Sequence, residues 1–279
     1  MHRIACLAVL VLLPACADEG SSPDPAGPDG GITHQPDAAR PEPTKRALVE
    51  VRIQPPLFNG ETPHLAIRGG FITTHDPRCQ RTQIGSCEVS DCPQALIGNT
   101  YADPGRLAFE PSNGLVQLTP GASYFSFDAD FFPWAAGDRI TLSAAGKGST
   151  PAFTANLTCP RTLDAGEGRP IMGAPVVTSQ VFRATWVPLS EDVLVELRQG
   201  RDTPAGPFDH IVACTATGTT GQATIPAAAL AQFRLKANGG LSIQVTSHAM
   251  RSTSVVAGDF TVTYRVLRSF NEHFFHDVQ

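Results

Sequence analysis

Cysteine is the residue type whose spacing first indicates chemistry in this chain. Cys79, Cys87 and Cys92 lie close together, with His75 just before them. Spacings of eight and five residues do not form the CxxC knuckle that tetrahedral zinc sites use, so we predict a disulfide-closed loop and no metal ligands. Cys87 and Cys92 point to opposite faces of an extended strand, so their direct pairing requires a turn. Pairing of Cys79 with either one stays open.

Carboxylates and histidines form two further groups. Asp128 and Asp130 share one face of a predicted strand, but calcium needs six or more oxygens and glycosidases need a carboxylate pair across a cleft. We interpret this pair as a solvated strand end. His273 and His276, near the C-terminus, lack the His-Glu-x-x-His order of zinc hydrolases, and we interpret their segment as a frayed end. The sequence therefore predicts no catalytic residue and no cofactor.

One aromatic run is the best candidate for an exposed binding patch. Phe131, Phe132 and Trp134 follow the acidic pair, and Pro133 and Gly137 favour a loop. Carbohydrate modules use aromatic rings in this way, while packing in the core is the alternative. Serine catalysis and phosphate binding have no support, because the chain contains neither a Gly-x-Ser-x-Gly elbow nor a Walker-type glycine loop.

The first residues have the three parts of a secretion signal. Arg3 supplies a positive start, and the apolar run 4–13 is too short to span a bilayer, which takes about 20 residues. Leu13-Pro14-Ala15-Cys16 then resembles the lipobox of bacterial lipoproteins, with Pro14 as a departure from its usual small residue. The resemblance implies cleavage before Cys16 and a lipid on its sulfur, which anchors the chain to a membrane. An ordinary signal peptide, cut near the same place, is the alternative.

Loss of Cys6 with the signal and use of Cys16 for lipid leave five of the seven cysteines. An oxidising compartment favours disulfides, and an odd number leaves at least one thiol unpaired within the chain. We expect Cys159 to bridge to Cys214, with a buried free thiol at Cys214 as the alternative.

The rest of the chain reads as a tether followed by strands. Residues 16–46 are rich in Pro and Gly and predict a flexible tether. From residue 47 apolar residues alternate with polar ones in short runs separated by turn signals, which indicates β-sandwiches. A turn-rich break at 159–174 separates two such regions, 47–158 and 175–279. One short helix is predicted at 226–235, where Pro226 suits the first helical position. The predicted fold is all-β, with two tandem β-sandwich (Ig-like) domains after the signal peptide 1–15 and the tether.

The order of these features resembles a group of predicted lipoproteins abundant in myxobacteria. In that group a lipobox and a Pro/Gly tether precede a β domain with a Cys…Gly-Ser-Cys-x-Val-x-x-Cys segment, which this chain has from Cys79 to Cys92. Further similar segments are Gly137 to Phe153, Ala184 to Trp186, Ile211 to Cys214 and Ile225 to Leu230. The resemblance implies a cell-envelope location and this architecture, and it implies nothing about chemistry.

Charge and composition narrow the function further. The net charge of −5 and pI near 5.9 argue against nucleic acid as a partner, because its binding needs a basic surface. We expect a non-enzymatic envelope lipoprotein that binds a protein or a glycan. The alternatives are a surface hydrolase that uses acidic residues in a groove, and a structural spacer. Ala17 differs from the Asp that retains lipoproteins in the inner membrane of enteric bacteria, which favours the outer membrane.

Overall fold

The computed structural model describes residues 45–54, 64–93, 99–112, 116–131, 133–161, 176–203, 206–231, 233, 242–269 and 274–277. The backbone alone is described at 93, 201–203, 206–208, 242 and 274–277. The predicted signal peptide, Cys16, Phe132, His273 and most of the predicted tether and linker lie outside these residues. No helix in the described part of the chain is long and apolar enough to cross a membrane.

Strands make up nearly all of the regular structure, which confirms the all-β prediction. In the first part of the chain they are β1 (Lys45–Gln54), β2 (His64–Thr74), β3 (Gln80–Ile84), β4 (Cys87–Pro93), β5 (Thr100–Ala102), β6 (Leu107–Glu110), β7 (Gln117–Leu118), β8 (Phe125–Ala129), β9 (Arg139–Ala144) and β10 (Phe153–Thr158). They continue as β11 (Phe182–Thr185), β12 (Asp192–Thr203), β13 (Gly206–Thr217), β14 (Gln222–Ile225), β15 (Ser242–Ala257), β16 (Phe260–Ser269) and β17 (Phe274–Asp277).

In the described part of the chain, helical structure is limited to two short pieces. A 3₁₀ turn covers Gly218–Thr220, and α1 covers Ala227–Leu230. Pro226 precedes α1 with an extended backbone, and Leu230 is buried at its end. The predicted helix therefore exists but is shorter than expected. The C-terminal segment that we interpreted as frayed contains β17, which pairs with β15.

One large sheet runs through the whole body of the molecule. Its order is β3-β4-β13-β12-β15-β16-β1-β2-β5, with β8 also paired to β2 and β17 to β15. Smaller layers pack on it: a four-stranded sheet β10-β9-β6-β7 and the pair β11-β14. Alternation explains the layering, because one side of β1 buries Val49, Val51 and Ile53 while the other side, apart from Leu48, carries polar residues.

In the described residues two large hydrophobic cores lie between these layers, and a smaller cluster, Leu194, Met250 and Leu267, lies on the other side of the large sheet. The first core contains Val51, Phe109, Trp134 and Leu142 among others, and the second contains Trp186, Val195, Val212 and Ile225 among others. Each core thus lies within a two-layer β-sandwich, as the alternation predicted.

The two halves exchange strands across the predicted boundary. β1 pairs in parallel with β16, and Tyr264 and Val266 of β16 belong to the first core. Conversely, β4 pairs with β13, and its residues Cys87 and Val89 belong to the second core. Residues 42–279 accordingly form one compact unit. Each core therefore contains a strand from the other half of the chain: β16 in the first core and β4 in the second.

Candidate functional site

The side of the large sheet that faces away from the two cores carries a row of charged residues. Strand register aligns Arg68 of β2, Glu50 of β1 and Arg265 of β16 across three neighbouring strands. We call this side, with Arg52, Glu196 and His248 included, the charged face. Because residues at positions i and i+2 of a strand share a side, the alternation that builds the cores also sets out this row.

Glu50 and Arg52 are central to the ion pairs of the charged face. Glu50 is buried and accepts hydrogen bonds from Arg52 and Arg265. Burial alone raises the pKa of Glu50, but the charges of Arg265 and Arg52 outweigh it and hold that pKa below its ordinary value. The two arginines therefore keep a carboxylate ionised where water has little access.

Glu196 joins the ion pairs to the second half of the chain. Arg52 Nη1 and Nη2 donate to the two carboxylate oxygens of Glu196 at 2.8 and 3.0 Å, a two-point contact between β1 and β12 that passes over β15 and β16. Burial alone raises the pKa of Glu196. Hydrogen bonding from His248 and the charge of Arg52 outweigh burial and hold that pKa below its ordinary value. Burial alone lowers the pKa of Arg52, but the charges of Glu50 and Glu196 outweigh burial and raise that pKa above its ordinary value.

His248 connects Glu196 to a serine. Its Nε2 lies 3.2 Å from Glu196 Oε2, and its Nδ1 lies 2.9 Å from Ser269 Oγ. A serine that contacts a histidine, which in turn contacts a carboxylate, has the parts of a nucleophilic triad. Here, however, Ser269 has an exposed fraction of 0% and His248 of 1%, so no substrate reaches the hydroxyl in this conformation. As it stands, the chain of contacts orders the sheet and does not expose a nucleophile.

The exposed end of the charged face contains the acidic pair noted in the sequence. His64 Nε2 lies 3.2 Å from Asp128 Oδ1, and His64 Nδ1 lies 3.2 Å from Asp130 Oδ1. Arg68 Nη2 also lies 3.8 Å from Asp128 Oδ1. Both aspartates are solvent-exposed, as the interpretation of a solvated strand end requires. The structure adds that β2 supplies them with a histidine and an arginine.

Two tyrosines border this end. The Tyr124 side chain is 45% exposed. Burial of its remainder raises the pKa of its hydroxyl, while Arg68 opposes this shift and Glu50 adds to it. A Cβ at Gly70 would lie 2.6 Å from the ring of Tyr101, so glycine is required for that ring to lie on the sheet. The exposed end therefore combines rings, carboxylates and cations, which are the groups that bind polar ligands.

The structure corrects the predicted aromatic patch. Trp134 is buried in the first core, with an exposed fraction of 1%, and its indole N–H donates to Pro111 O at 2.8 Å. Phe131 is partly buried and packs against the same core. Core packing, the alternative interpretation of this run, is thus the correct one for Trp134 and Phe131, because burial removes the large apolar area of their rings from water while the indole N–H keeps a hydrogen-bond partner.

Four cysteines form two disulfides in the described structure. Cys79 pairs with Cys92, one of the two options that the spacing left open, and Cys87 pairs with Cys214. The expected bridge from Cys159 to Cys214 is therefore wrong. It fails because β4 lies beside β13 and brings Cys87 directly opposite Cys214.

Cys159 is a buried free thiol. Burial raises its pKa to about 11, although Arg268 opposes this shift. A thiol with so high a pKa is almost entirely protonated at neutral pH and reacts slowly. The described residues also contain no group of three or more His, Cys, Asp or Glu side chains arranged to hold a metal ion.

The fold and this face define a β-sandwich protein whose outer side combines ion pairs with a small buried apolar cluster, Leu194, Met250 and Leu267. No protein-family model matches the chain, and no curated protein matches it. Among solved structures, the chain is similar to the chicken CNTN1 FN1–FN3 domains, at 11% identity and a TM-score of 0.20, with 73% of this chain and 77% of that chain covered. The all-β fold is defined by the strands of this chain and their pairing.

Most of the charged face is not predicted as a site by the sequence. Asp128 and Asp130 stand out as candidate ligands, whereas Glu50, Arg52 and Glu196 appear only as polar positions of alternating strands. The signal was present in part, because Glu50 and Arg52 occupy the polar positions of the alternating first strand. Glu196, the partner of Arg52, is 144 residues from it in sequence, and only the order of the strands brings the two together.

Proposed function

We propose that this chain is an exported bacterial lipoprotein, cleaved before Cys16 and held by lipid on that residue, whose β-sandwich body binds a protein or a glycan of the cell envelope. The observation that carries the proposal is the pair of disulfides within the body. Such bonds form and persist in oxidising compartments outside the cytoplasm. This agrees with a signal-type segment and lipobox at the start of the sequence.

The binding role is supported by the exposed end of the charged face. Arg68, Asp128, His64 and Tyr124 are all solvent-accessible, and they combine hydrogen-bond donors, acceptors and a ring. Hydrogen-bonding side chains beside an aromatic ring suit a polar partner such as a glycan or a polar protein surface. The proposal includes no catalysis and places the lipid in the outer membrane, on the basis of Ala17.

Lipidation is tested with a pair of cysteine variants. The full chain is expressed in a bacterial host with labelled palmitate, and label, intact mass and membrane fractionation are measured. We expect Cys16→Ser to lose label and membrane association, and Cys6→Ser, a matched change within the predicted signal, to keep both. Natural material with an unacylated Cys16 still joined to residues 1–15 would contradict the proposal.

Binding is tested with the compact unit 42–279 as bait in envelope extracts and on glycan arrays. Arg68→Glu reverses an exposed charge of the charged face, whereas Arg139→Glu makes the same change at an exposed residue at the start of β9. We expect a partner that is retained by the wild type and by Arg139→Glu but lost with Arg68→Glu. Equal retention by both variants would place the binding surface elsewhere.

A further inference from the structure

The large sheet ends in an exposed strand. Among the described residues β3 pairs with β4 alone, and it stands last in the sheet order. Gln80, Arg81, Thr82 and Gln83 are all exposed, so the side chains on both faces of this strand contact solvent. An unprotected edge of this kind is a template for another strand.

Backbone geometry shows which groups of β3 face outward. Ile84 and Cys87 flank the two-residue turn of the β3–β4 hairpin and are directly opposite each other. In such a hairpin the flanking pair exchanges both backbone hydrogen bonds, and the pattern then alternates along the strand. Arg81 and Gln83 therefore direct their N–H and C=O groups away from β4, toward the open edge.

Two disulfides fix this edge in place. Cys79–Cys92 joins the strand's start to β4, and Cys87–Cys214 joins the hairpin to β13. An edge that is already ordered loses little conformational entropy when it pairs with another strand.

We propose that β3 pairs antiparallel with β3 of a second copy of this chain, around a two-fold axis at Thr82. In this register Arg81 of each copy lies opposite Gln83 of the other. Each of these two residue pairs exchanges two backbone hydrogen bonds, so all four outward-facing N–H groups and all four outward-facing C=O groups of the two strands are paired. Thr82 lies opposite its own symmetry mate.

Charge complementarity supports the second copy as the occupant. No like charges lie directly opposite each other in this register, and the two Arg81 side chains, which are diagonal neighbours across the axis, each keep Glu88 of their own chain as a partner. Within one chain Arg81 Nη1 lies 3.6 Å from Glu88 Oε1, and Gln83 lies directly opposite Glu88. Pairing of the two edges therefore places Glu88 of each copy in the same row as Arg81 of the other, two strands away with an uncharged Gln83 between them, where the opposite charges attract.

An introduced cysteine tests the register. Thr82→Cys places two thiols opposite each other across the axis, and oxidation by glutathione disulfide joins them while it is reduced to glutathione. Gln80→Cys is the matched control, since it is equally exposed on the same strand but its thiols lie about 13 Å apart along the strands, beyond disulfide reach. We expect the full chain with Thr82→Cys to cross-link at least about tenfold faster.

A second change tests the backbone contacts. Gln83→Pro removes an outward N–H and leaves the bonds to β4 intact, as proline at an edge allows. We expect it to slow cross-linking of Thr82→Cys to the rate of the control. Equal rates for Thr82→Cys and Gln80→Cys would overturn the proposal. If Thr82→Cys fails to fold, sedimentation of the wild type against Gln83→Pro decides it: a concentration-dependent dimer in the wild type alone supports the pairing, and a wild-type monomer throughout overturns it.

Discussion

Trp134 and Trp186 hold equivalent places in the two cores. Both rings are buried, and each indole N–H donates to a backbone oxygen at 2.8 Å, Pro111 O for Trp134 and Gly218 O for Trp186. A buried indole nitrogen needs such a partner, since an unpaired polar group in a core costs free energy. One large residue in each half therefore combines apolar packing with a fixed polar contact.

We expect Trp134→Phe to lower the free energy of unfolding by about 2 kcal/mol, through the lost hydrogen bond and the smaller ring. Trp134→Ala should cost about 3–5 kcal/mol, because it leaves a cavity. Urea unfolding measures both changes. Tyr124→Phe, at a ring that is 45% exposed, is the control and should stay within about 0.5 kcal/mol of the wild type. An equally small effect for Trp134→Ala would contradict the burial of this ring.

The carboxylates of the charged face predict sensitivity to acid. The pKa values of Glu50 and Glu196 lie below the ordinary 4.5 in the folded protein. The folded state therefore binds these protons more weakly than the unfolded state does. The stability that they contribute is fully present above about pH 4.5 and is lost as the pH falls through the lower, folded-state pKa values.

We expect Glu196→Gln to unfold more easily at pH 7, by about 3 kcal/mol, because Arg52 and His248 lose a charged partner. Its stability should also depend less on pH than that of the wild type below pH 4.5. Urea unfolding across pH 3–7 measures both effects. Glu88→Gln is the matched control at a half-exposed glutamate, and we expect it to follow the wild-type profile. Parallel pH profiles for Glu196→Gln and the wild type would refute the role of this carboxylate.

At the scale of elements, the β3–β4 hairpin is the segment that disulfides hold to the sheet. Cys79–Cys92 closes a short loop with a sequence separation of 13, and Cys87–Cys214 closes a long one with a separation of 127. A bond that closes a longer loop removes more conformational entropy from the unfolded chain. The long-range bond should therefore stabilise the fold more.

We expect Cys87→Ala with Cys214→Ala to lower the free energy of unfolding by about 5 kcal/mol, and Cys79→Ala with Cys92→Ala by about 3 kcal/mol. Thermal unfolding under non-reducing conditions compares the two double variants. Cys159→Ala serves as a control for the loss of a sulfur that forms no disulfide. Equal losses from the two disulfides would show that loop length does not govern their effect.

At the scale of the whole molecule, one sheet serves both cores. β1 lies between β2 and β16, so the first strand of the body completes its ladder only when a strand from the end of the chain is in place. The hairpin β3–β4 depends in the same way on β13. Neither half contains all the strands of its own core, and the two halves should unfold together.

The two tryptophans test this cooperativity, because they are the only ones in the chain. In Trp186→Phe the remaining Trp134 reports on the first core, and in Trp134→Phe the remaining Trp186 reports on the second. For each variant we expect the fluorescence midpoint in urea to coincide with the midpoint from far-ultraviolet circular dichroism. A tryptophan transition well separated from the global one would show that its core unfolds alone.

The sequence by itself determined the β class and the sides of the main strands. Alternation at Val49, Val51 and Ile53 fixes which side of β1 is buried, and it needs no distant partner. The same local pattern indicated β9, β10, β12 and β16. It did not indicate β3, whose side chains are exposed on both faces and therefore do not alternate.

Only the tertiary structure decided which strands became neighbours. Pairing of β1 with β16 and of β4 with β13 joins segments that are far apart in sequence, and local patterns are the same for any order of strands. That order placed Cys87 opposite Cys214 and Arg52 against Glu196, and it buried Trp134. Burial and charge pairing depend on what lies across the sheet, which a residue's own neighbours in sequence do not specify.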